Sequence, residues 1–459
     1  MYVNPKIFKA YDIRGEFPEQ INAKSVYIIA RAFVEFLRGK DPKPTIHPLS
    51  IVVAQDARPS SPELKKAVIE ALLDEGVHII DIGSATTPFH GFVVIQTEAD
   101  GGIMITASHT PARMNGLKFL RKGGDPLGQG MGLEVVQQIA QRSIFQQKND
   151  DGRGGVEQKT FYREYIDFLL ERVDLSKTTE LTVVIDAAGG MSAVLLPYLV
   201  KRLPFKTIVL NGDAFFYSGV EMMDPSKEVN LATLKNEVLK ERADFGIAFD
   251  QDGDRSGFVT KNARFLRADY VGAFFARELL KSHAGASIVY DVRSSSIVRE
   301  TVLKGGGNAI ESRVGHSFIK AKMREMDALF SAEMSGHFYF KDFWYLDSDF
   351  LPLLYFAQFL AALGKTSDQV LEEFQVYPAS GEINFTVDEG KDHLLEQIAA
   401  HFHDAHAVKW VDGLSIYYDE WWTNIRMSNT EPLVRLNVEA ENQELLDEKI
   451  NELRKLIEG

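Results

Sequence analysis

Residues 248 to 258 read AFDQDGDRSGF, an apolar strand that runs into carboxylates at alternate positions, Asp250, Asp252 and Asp254. In an extended loop alternate side chains point the same way, and Gly253 permits a tight bend, so their oxygens can converge. Only oxygen ligands are offered, which predicts a hard cation, Mg²⁺ or Ca²⁺. The calcium loop of an EF-hand needs Gly at its sixth position and Glu at its twelfth. Here those positions hold Arg255 and Lys261, so that loop is excluded. Three aspartates leave places open on Mg²⁺, and such sites typically fill them with phosphate oxygens.

A second stretch, GIMITASHTPARMNGLKF at 102 to 119, delivers Ser108 and His109 into a turn closed by Pro111. Neighbouring side chains of an extended segment point to opposite faces, so His109 is not expected to deprotonate Ser108. The G-x-S-x-G elbow of hydrolases is absent. A phosphoryl group carried on Ser108 and held by the metal of the aspartate loop would give the serine a reason to be presented. Lys118 would serve as a proton acceptor if neighbouring cations depressed its pKa.

Three further stretches carry polar chemistry. In SAEMSGHF, Glu333, Ser335 and His337 alternate, so an extended backbone puts them on one side, where they suit sugar hydroxyls and a phosphate oxygen. In NIRMSNTEPLVRLNV, Arg426, Ser428, Asn429 and Thr430 gather a guanidinium fork, hydroxyls and an amide, an anion site. In FKAYDIRGEF, Tyr11 and Arg14 stand beside Gly15, and a strand end with a turn accounts for them as well as function does.

The elements that must position these loops follow an α/β pattern of apolar runs alternating with amphipathic segments. SIVVAQDARPSS (50 to 61), LTVVIDAAGGMS (181 to 192) and SIVYDVRSSS (287 to 296) are each an apolar strand reaching Asp and a small-residue loop. A helical segment and a second strand follow each: VHIIDIGS, KTIVLNGD and GNAIESRVG. A third short strand then runs into the Ser108, Asp250 or Glu333 loop. Ligands of open α/β sheets bind beyond the carboxyl ends of strands, so three related domains would turn equivalent loops to one cleft. Ser61 is expected to cap the helix ELKKAVIEALLDE, with Pro62 in its first turn and Gly76 after it. The polar stretch QQKNDDGRGGVEQK (146 to 159) is expected to be a linker. FLPLLYFAQFLAALG (350 to 364) is too short to span a bilayer and fits a buried helix. Strands GEINFTV and LVRLNVEA with helices KDHLLEQIAAHFHDA and NQELLDEKINELRKLI predict a small C-terminal α+β domain.

At 459 residues the chain is too long for one core. The expected domains are 1–152 with the serine loop, 153–258 with the metal loop, 259–370 with the sugar loop and 371–459 with the phosphate loop. Hydrophobic residues at 45% and charged residues at 25% are globular composition. A formal net charge of −14 argues against a general nucleic-acid binder. With no cysteine, disulfides, thiolate metal sites and a cysteine nucleophile are excluded. The start, MYVNPKIFKAYDIRG, has no apolar h-region, so a cytoplasmic protein without membrane or nucleic-acid partners is expected.

Together these pieces resemble the α-D-phosphohexomutase superfamily, in its bacterial phosphomannomutase/phosphoglucomutase group. The markers stand in the family's order: Tyr-Asp-Ile-Arg-Gly at 11 to 15, Thr-Ala-Ser-His at 106 to 109, the Asp250 loop, Glu-Met-Ser-Gly-His at 333 to 337 and Arg-x-Ser-Asn-Thr at 426 to 430. The resemblance implies three related α/β domains with mixed sheets and a C-terminal α+β domain around a central cleft, in a monomer or weak dimer. It implies a phosphoserine at Ser108, which with Asp250, Asp252 and Asp254 holds Mg²⁺. Arg14, His109, Lys118, Arg255, His316 and His337 would surround the reacting groups. Tyr11, Arg293, Glu333, Ser335 and His337 would meet the phosphosugar, and Arg426, Ser428, Asn429 and Thr430 its untransferred phosphate. The implied reaction interconverts hexose 6-phosphate and α-D-hexose 1-phosphate, of mannose or glucose, with hexose 1,6-bisphosphate as activator and intermediate. Thr110, Gln251, Ala332 and Arg293 depart from residues common in the family. A phosphoglucosamine mutase and, from another class, a metal-dependent sugar phosphatase stay open as alternatives.

Overall fold

The computed structural model describes residues 3–39, 48–142, 153–214, 224–386, 393–427 and 433–458. The chain divides into two compact units, Met1–Leu266 with Ser335–Ser367, and Arg267–Met334 with Asp368–Gly459.

In the first unit, valine and isoleucine runs buried on both faces build parallel strands, as covered α/β sheets require. Ser50–Gln55 pairs in parallel with His78–Ser84 on one side and Gly101–Ile105 on the other. Met114–Arg121 adds to Gly101–Ile105 antiparallel, and Ile13–Glu16 adds to Met114–Arg121. The second sheet repeats the order. Thr182–Asp186 lies in parallel between Lys206–Leu210 and Phe245–Phe249, and Ser256–Thr260 returns antiparallel beside the latter.

In the second unit, Ser287–Asp291 again takes the middle, parallel to Asn308–Ser312 and Phe330–Ala332. The thrice-repeated succession of strands expected from the sequence is therefore present, and the sheets are mixed. The C-terminal segment is an antiparallel sheet in the order Ile383–Thr386, Leu433–Ala440, Trp421–Met427, Leu414–Tyr417, Ala407–Lys409. Its apolar face, with Ile425, Val434 and Leu436, shares a core with Leu446, Leu453 and Ile457 of the helix Gln443–Glu458.

Two local expectations are corrected. Ser61 is the first residue of the helix Ser61–Asp74 rather than its cap, and its Oγ donates to Asp56 Oδ1 at 2.6 Å. Of the expected linker, Gly155–Gln158 is a strand parallel to His78–Ser84, while residues 146–152 lie outside the described residues. That edge strand is largely exposed, so it carries none of the apolar patterning by which strands are read. The segment Leu351–Leu363 is the buried helix expected, and no described helix is long and apolar enough to cross a membrane.

Candidate active site

The strand Gly101–Ile105 ends at a turn in which Ser108 adopts φ +52°. A non-glycine residue there costs roughly 1 kcal/mol, so the surroundings must impose it. They do so through Arg58, a fully buried side chain at the end of the neighbouring strand. Its Nη2 donates to the carbonyls of Ser108 and Thr110 at 2.6 and 2.7 Å, its Nη1 to those of Pro111 and Met114 at 2.8 and 2.7 Å. Asp56 accepts from Arg58 Nε at 3.1 Å and fixes the guanidinium plane. The Ser108 N–H is itself taken by Thr106 Oγ1 at 2.9 Å.

So presented, Ser108 Oγ donates to Asp250 Oδ2 at 2.9 Å and lies 3.0 Å from His109 Nδ1. The second contact corrects the expectation that Ser108 and His109 face apart. Alternation belongs to extended backbone, and the left-handed Ser108 breaks it. Burial, then the charges of Arg255 and Arg14, hold the His109 ring far below the usual histidine range, so it stays neutral.

Asp250, Asp252 and Asp254 are all buried, with one oxygen of each within 4.8 Å of the others. Lys118 Nζ donates to the Oδ2 atoms of Asp252 and Asp254 at 2.7 and 2.5 Å. Thr87 Oγ1 also donates to Asp252 Oδ2, at 2.7 Å, while Asp252 Oδ1 is buried without a hydrogen-bond partner. An all-oxygen donor set with an orphaned buried carboxylate oxygen fits a hard divalent cation. Burial and then the neighbouring charges of Asp254 and Asp252 push the Asp250 carboxyl well above its ordinary pKa. Burial alone would raise Asp254 too, but Lys118 and His337 overturn this and hold it well below.

Lys118 answers its expectation with the opposite sign. Burial lowers its pKa, but Asp252 and Asp254 outweigh burial and raise it, so the group here is a fixed cation rather than a proton acceptor.

Around this centre, Arg255 Nε lies 4.0 Å from Asp250 Oδ2 and its Nη1 3.5 Å from Asp224 Oδ1. Ser335 Oγ meets His337 Nδ1 at 2.8 Å, and His337 Nε2 lies 3.4 Å from Asp254 Oδ1. Gly336 makes this approach possible: at φ +91° its Cβ would lie 2.8 Å from the Ser256 carbonyl oxygen. Arg14 is bound to Asp12 at 2.8 Å and also feels the charges of Asp252 and Asp254. Tyr11 lies two residues before the strand that carries Arg14, half-buried.

The second unit holds the remaining candidates. Arg293 forks onto Asp291 at 3.0 and 2.9 Å, and Asp291 Oδ2 also accepts the Met334 N–H at 3.0 Å. Glu333 Oε1 accepts the Gly315 N–H at 2.8 Å, just before His316 opens the helix His316–Glu325. Arg426 Nη2 donates to Glu382 Oε2 at 2.8 Å, and Nη1 lies 3.6 Å from Asp412 Oδ2. Burial, then the charge of Arg293, lowers the Arg426 pKa, which makes the two guanidiniums electrostatic neighbours, as an anion site requires. Ser428, Asn429 and Thr430 lie outside the described residues.

Comparison with known proteins fits this geometry. The phosphoglucomutase/phosphomannomutase α/β/α domains I, II and III match residues 5–145, 163–263 and 267–377, and the C-terminal domain of the same family matches 382–456. The phosphomannomutase of Salmonella montevideo is 35% identical over 464 residues, covering 99% of this chain and 99% of that protein. The chain belongs to the phosphoglucomutase/phosphomannomutase family. It is an enzyme, an isomerase of the phosphohexomutase class. The phosphomannomutase of Methanocaldococcus jannaschii is 34% identical over 466 residues, 100% of this chain and 98% of that one. The crystal structure of a phosphoglucomutase/phosphomannomutase family protein from Burkholderia thailandensis matches with TM-score 0.87 at 30% identity, over 99% of this chain and 97% of that one.

The four departures of this phosphohexomutase each have a local accommodation. Gln251 Nε2 donates to the Ala188 carbonyl at 2.8 Å, tying the carboxylate loop to the turn after Thr182–Asp186. Ala332 is matched by Gly272, whose Cβ would lie 2.6 Å from that of Ala332. Arg293 uses its fork on Asp291, and Thr110 Oγ1 donates to the Ala107 carbonyl at 2.8 Å inside the serine turn. The sequence reading missed Arg58, Asp56, Thr87 and Asp224. Asp-Ala-Arg-Pro at 56 to 59 was the one legible signal, a charged pair where a buried strand ends.

Proposed function

We propose that this phosphohexomutase interconverts hexose 6-phosphates and α-D-hexose 1-phosphates, of mannose, glucose or both, with Ser108 carrying the transferred phosphoryl group and a hexose 1,6-bisphosphate as intermediate. The observation that supports this most is the Ser108 hydroxyl, held in left-handed backbone 2.9 Å from Asp250 Oδ2. The reading takes four domains, 1–152, 153–258, 259–370 and 371–459, each carrying one of the chemistry-bearing loops.

In the first half-reaction the phosphoserine P–Oγ bond breaks as a P–O bond forms to the free hydroxyl of the bound sugar phosphate, giving the bisphosphate. The proton that leaves the sugar hydroxyl balances the one that Ser108 Oγ takes up as its bond to phosphorus breaks, and Lys118, held as an ammonium beside its aspartates, is not the acceptor. After the bisphosphate reverses its orientation, Ser108 Oγ forms a bond to its other phosphorus as the sugar O–P bond breaks, the serine hydroxyl proton passes to the sugar oxygen, and the isomeric monophosphate leaves.

Asp250, Asp252, Asp254 and the phosphorylated Ser108 are the residues that would hold Mg²⁺, which when bound neutralises charge on the transferring group. Arg14, Arg255 and Lys118 add fixed positive charge, and the neutral His109 faces the serine oxygen. Tyr11, Glu333 and Ser335 are assigned to the sugar, and His316 to the reacting groups. Arg293 and Arg426, with Ser428, Asn429 and Thr430, take the phosphate that is not transferred.

A coupled mutase assay with mannose, glucose and glucosamine phosphates, with and without the matching 1,6-bisphosphate, tests the reading. Isomerisation of mannose or glucose phosphates, stimulated by bisphosphate, is expected. Activity confined to glucosamine phosphate, or release of inorganic phosphate as the main product, would overturn it.

A further inference from the structure

Beneath the carboxylate loop runs a chain of buried polar contacts that none of these roles uses. Tyr165, on the helix Tyr162–Leu170, is fully buried, its ring 5.2 and 5.1 Å from those of Phe89 and Phe92. Its hydroxyl donates to Asp349 Oδ1 at 2.6 Å. Asp349 is fully buried too; its Oδ1 also accepts the Phe350 N–H at 2.7 Å and its Oδ2 the Thr86 hydroxyl at 2.9 Å. A carboxylate so far from water is costly unless its oxygens are engaged, and here both are.

Thr86 leads from this carboxylate to the metal loop. Its proton is committed to Asp349, which leaves a lone pair to accept the Phe89 N–H at 3.1 Å and cap the helix Thr87–Gln96. The first residue of that helix grips Asp252 twice. Thr87 N donates to the Asp252 carbonyl at 2.8 Å and Thr87 Oγ1 to Asp252 Oδ2 at 2.7 Å. Gly253 lies so close that a Cβ on it would stand 2.8 Å from Thr86 Cγ2. The turn and the loop are therefore tied together.

We propose that Asp349, clamped by Tyr165, is a positioning residue for Asp252, whose carboxylate it holds, through the Thr86–Thr87 turn, in the orientation a divalent cation requires. The inference rests on the metal-binding reading of Asp250, Asp252 and Asp254. Groups that orient metal ligands typically change affinity about tenfold or more when removed.

The test is Mn²⁺ binding to the full-length protein, read by the loss of the free-ion EPR signal, for wild type, Asp349→Asn, Tyr165→Phe and Thr86→Ser. Binding about tenfold weaker in Asp349→Asn and several-fold weaker in Tyr165→Phe is expected. Thr86→Ser, which keeps the hydroxyl, should retain wild-type affinity. In turnover assays kcat at low Mg²⁺ should fall and recover with excess Mg²⁺ while KM for the sugar phosphate stays unchanged. Should Asp349→Asn fail to fold, Tyr165→Phe decides alone, because it preserves the ring packing. Equal Mn²⁺ affinity in wild type and folded variants would overturn this inference alone. No Mn²⁺ binding by wild type would overturn the metal reading along with it.

Discussion

Ser108 and Asp250 stand 142 residues apart in the chain, yet the serine Oγ reaches the aspartate Oδ2 at 2.9 Å. Two sheets of the same strand order bring them together, one ending in the serine turn and the other in the carboxylate loop. The proposed phosphoryl carrier and the proposed metal ligands are thereby carried by separate elements, each fixed from behind.

Arg58 is the clearest of those supports. Arg58→Ala should leave Asp56 a buried charge without its cationic partner and remove the Arg58 donor from four carbonyls of the serine turn. A loss of about 3 to 5 kcal/mol of stability is expected, together with a large fall in kcat. Urea unfolding and steady-state kinetics measure both; wild-type stability would contradict the cradle.

Asp252→Ala removes the proposed metal ligand that carries the orphaned oxygen and one of two partners of Lys118. Turnover should be lost at all Mg²⁺ concentrations, with Mn²⁺ binding lost in parallel. An unchanged Mg²⁺ dependence would remove Asp252 from the metal site.

Arg426→Ala takes away one of the two neighbouring guanidiniums. A hydrogen bond between charged groups contributes about 1.5 to 3 kcal/mol, so KM for the sugar phosphate should rise roughly ten- to hundredfold. Kinetics equal to wild type would sink the assignment of the phosphate site.

Asp349 gives a pH-dependent prediction. Burial pushes its carboxyl up to about 6 from an ordinary 3.8, although Tyr165, Thr86 and the Phe350 amide pull the other way. A carboxyl raised on folding binds its proton more tightly in the folded chain, so its contribution is fully present below the ordinary value and is lost as pH rises through 6. The stability of wild type relative to Asp349→Asn should therefore decline by about 2 kcal/mol between pH 4 and 7. Urea unfolding at stepped pH reads it, and a difference that does not change with pH would contradict it.

The sequence showed the fold well where burial leaves a pattern. The three strands that reach Asp, the apolar helix Leu351–Leu363 and the closing strand Leu433–Ala440 all stand where their periodicity puts them. It failed at Gly155–Gln158, a largely exposed edge strand that carries no alternating apolar pattern. At the site, the aspartate loop was legible because carboxylate spacing is itself chemistry. The contact of Ser108 with His109 was not, since it depends on one left-handed residue, and that conformation is imposed by Arg58 from another strand. Lys118 failed similarly: the sign of its shift follows from which charges face it, and Asp252 and Asp254 arrive from more than a hundred residues away.

The account rests on Ser108 as the temporary carrier of a phosphoryl group, and intact-mass analysis with peptide mapping tests that directly. After incubation with hexose 1,6-bisphosphate and Mg²⁺, one phosphoryl group should be found on Ser108 in wild type, and none on Ser108→Ala, which should also be inactive. Wild type that stays unmodified while turning over, or an active Ser108→Ala, would contradict the account.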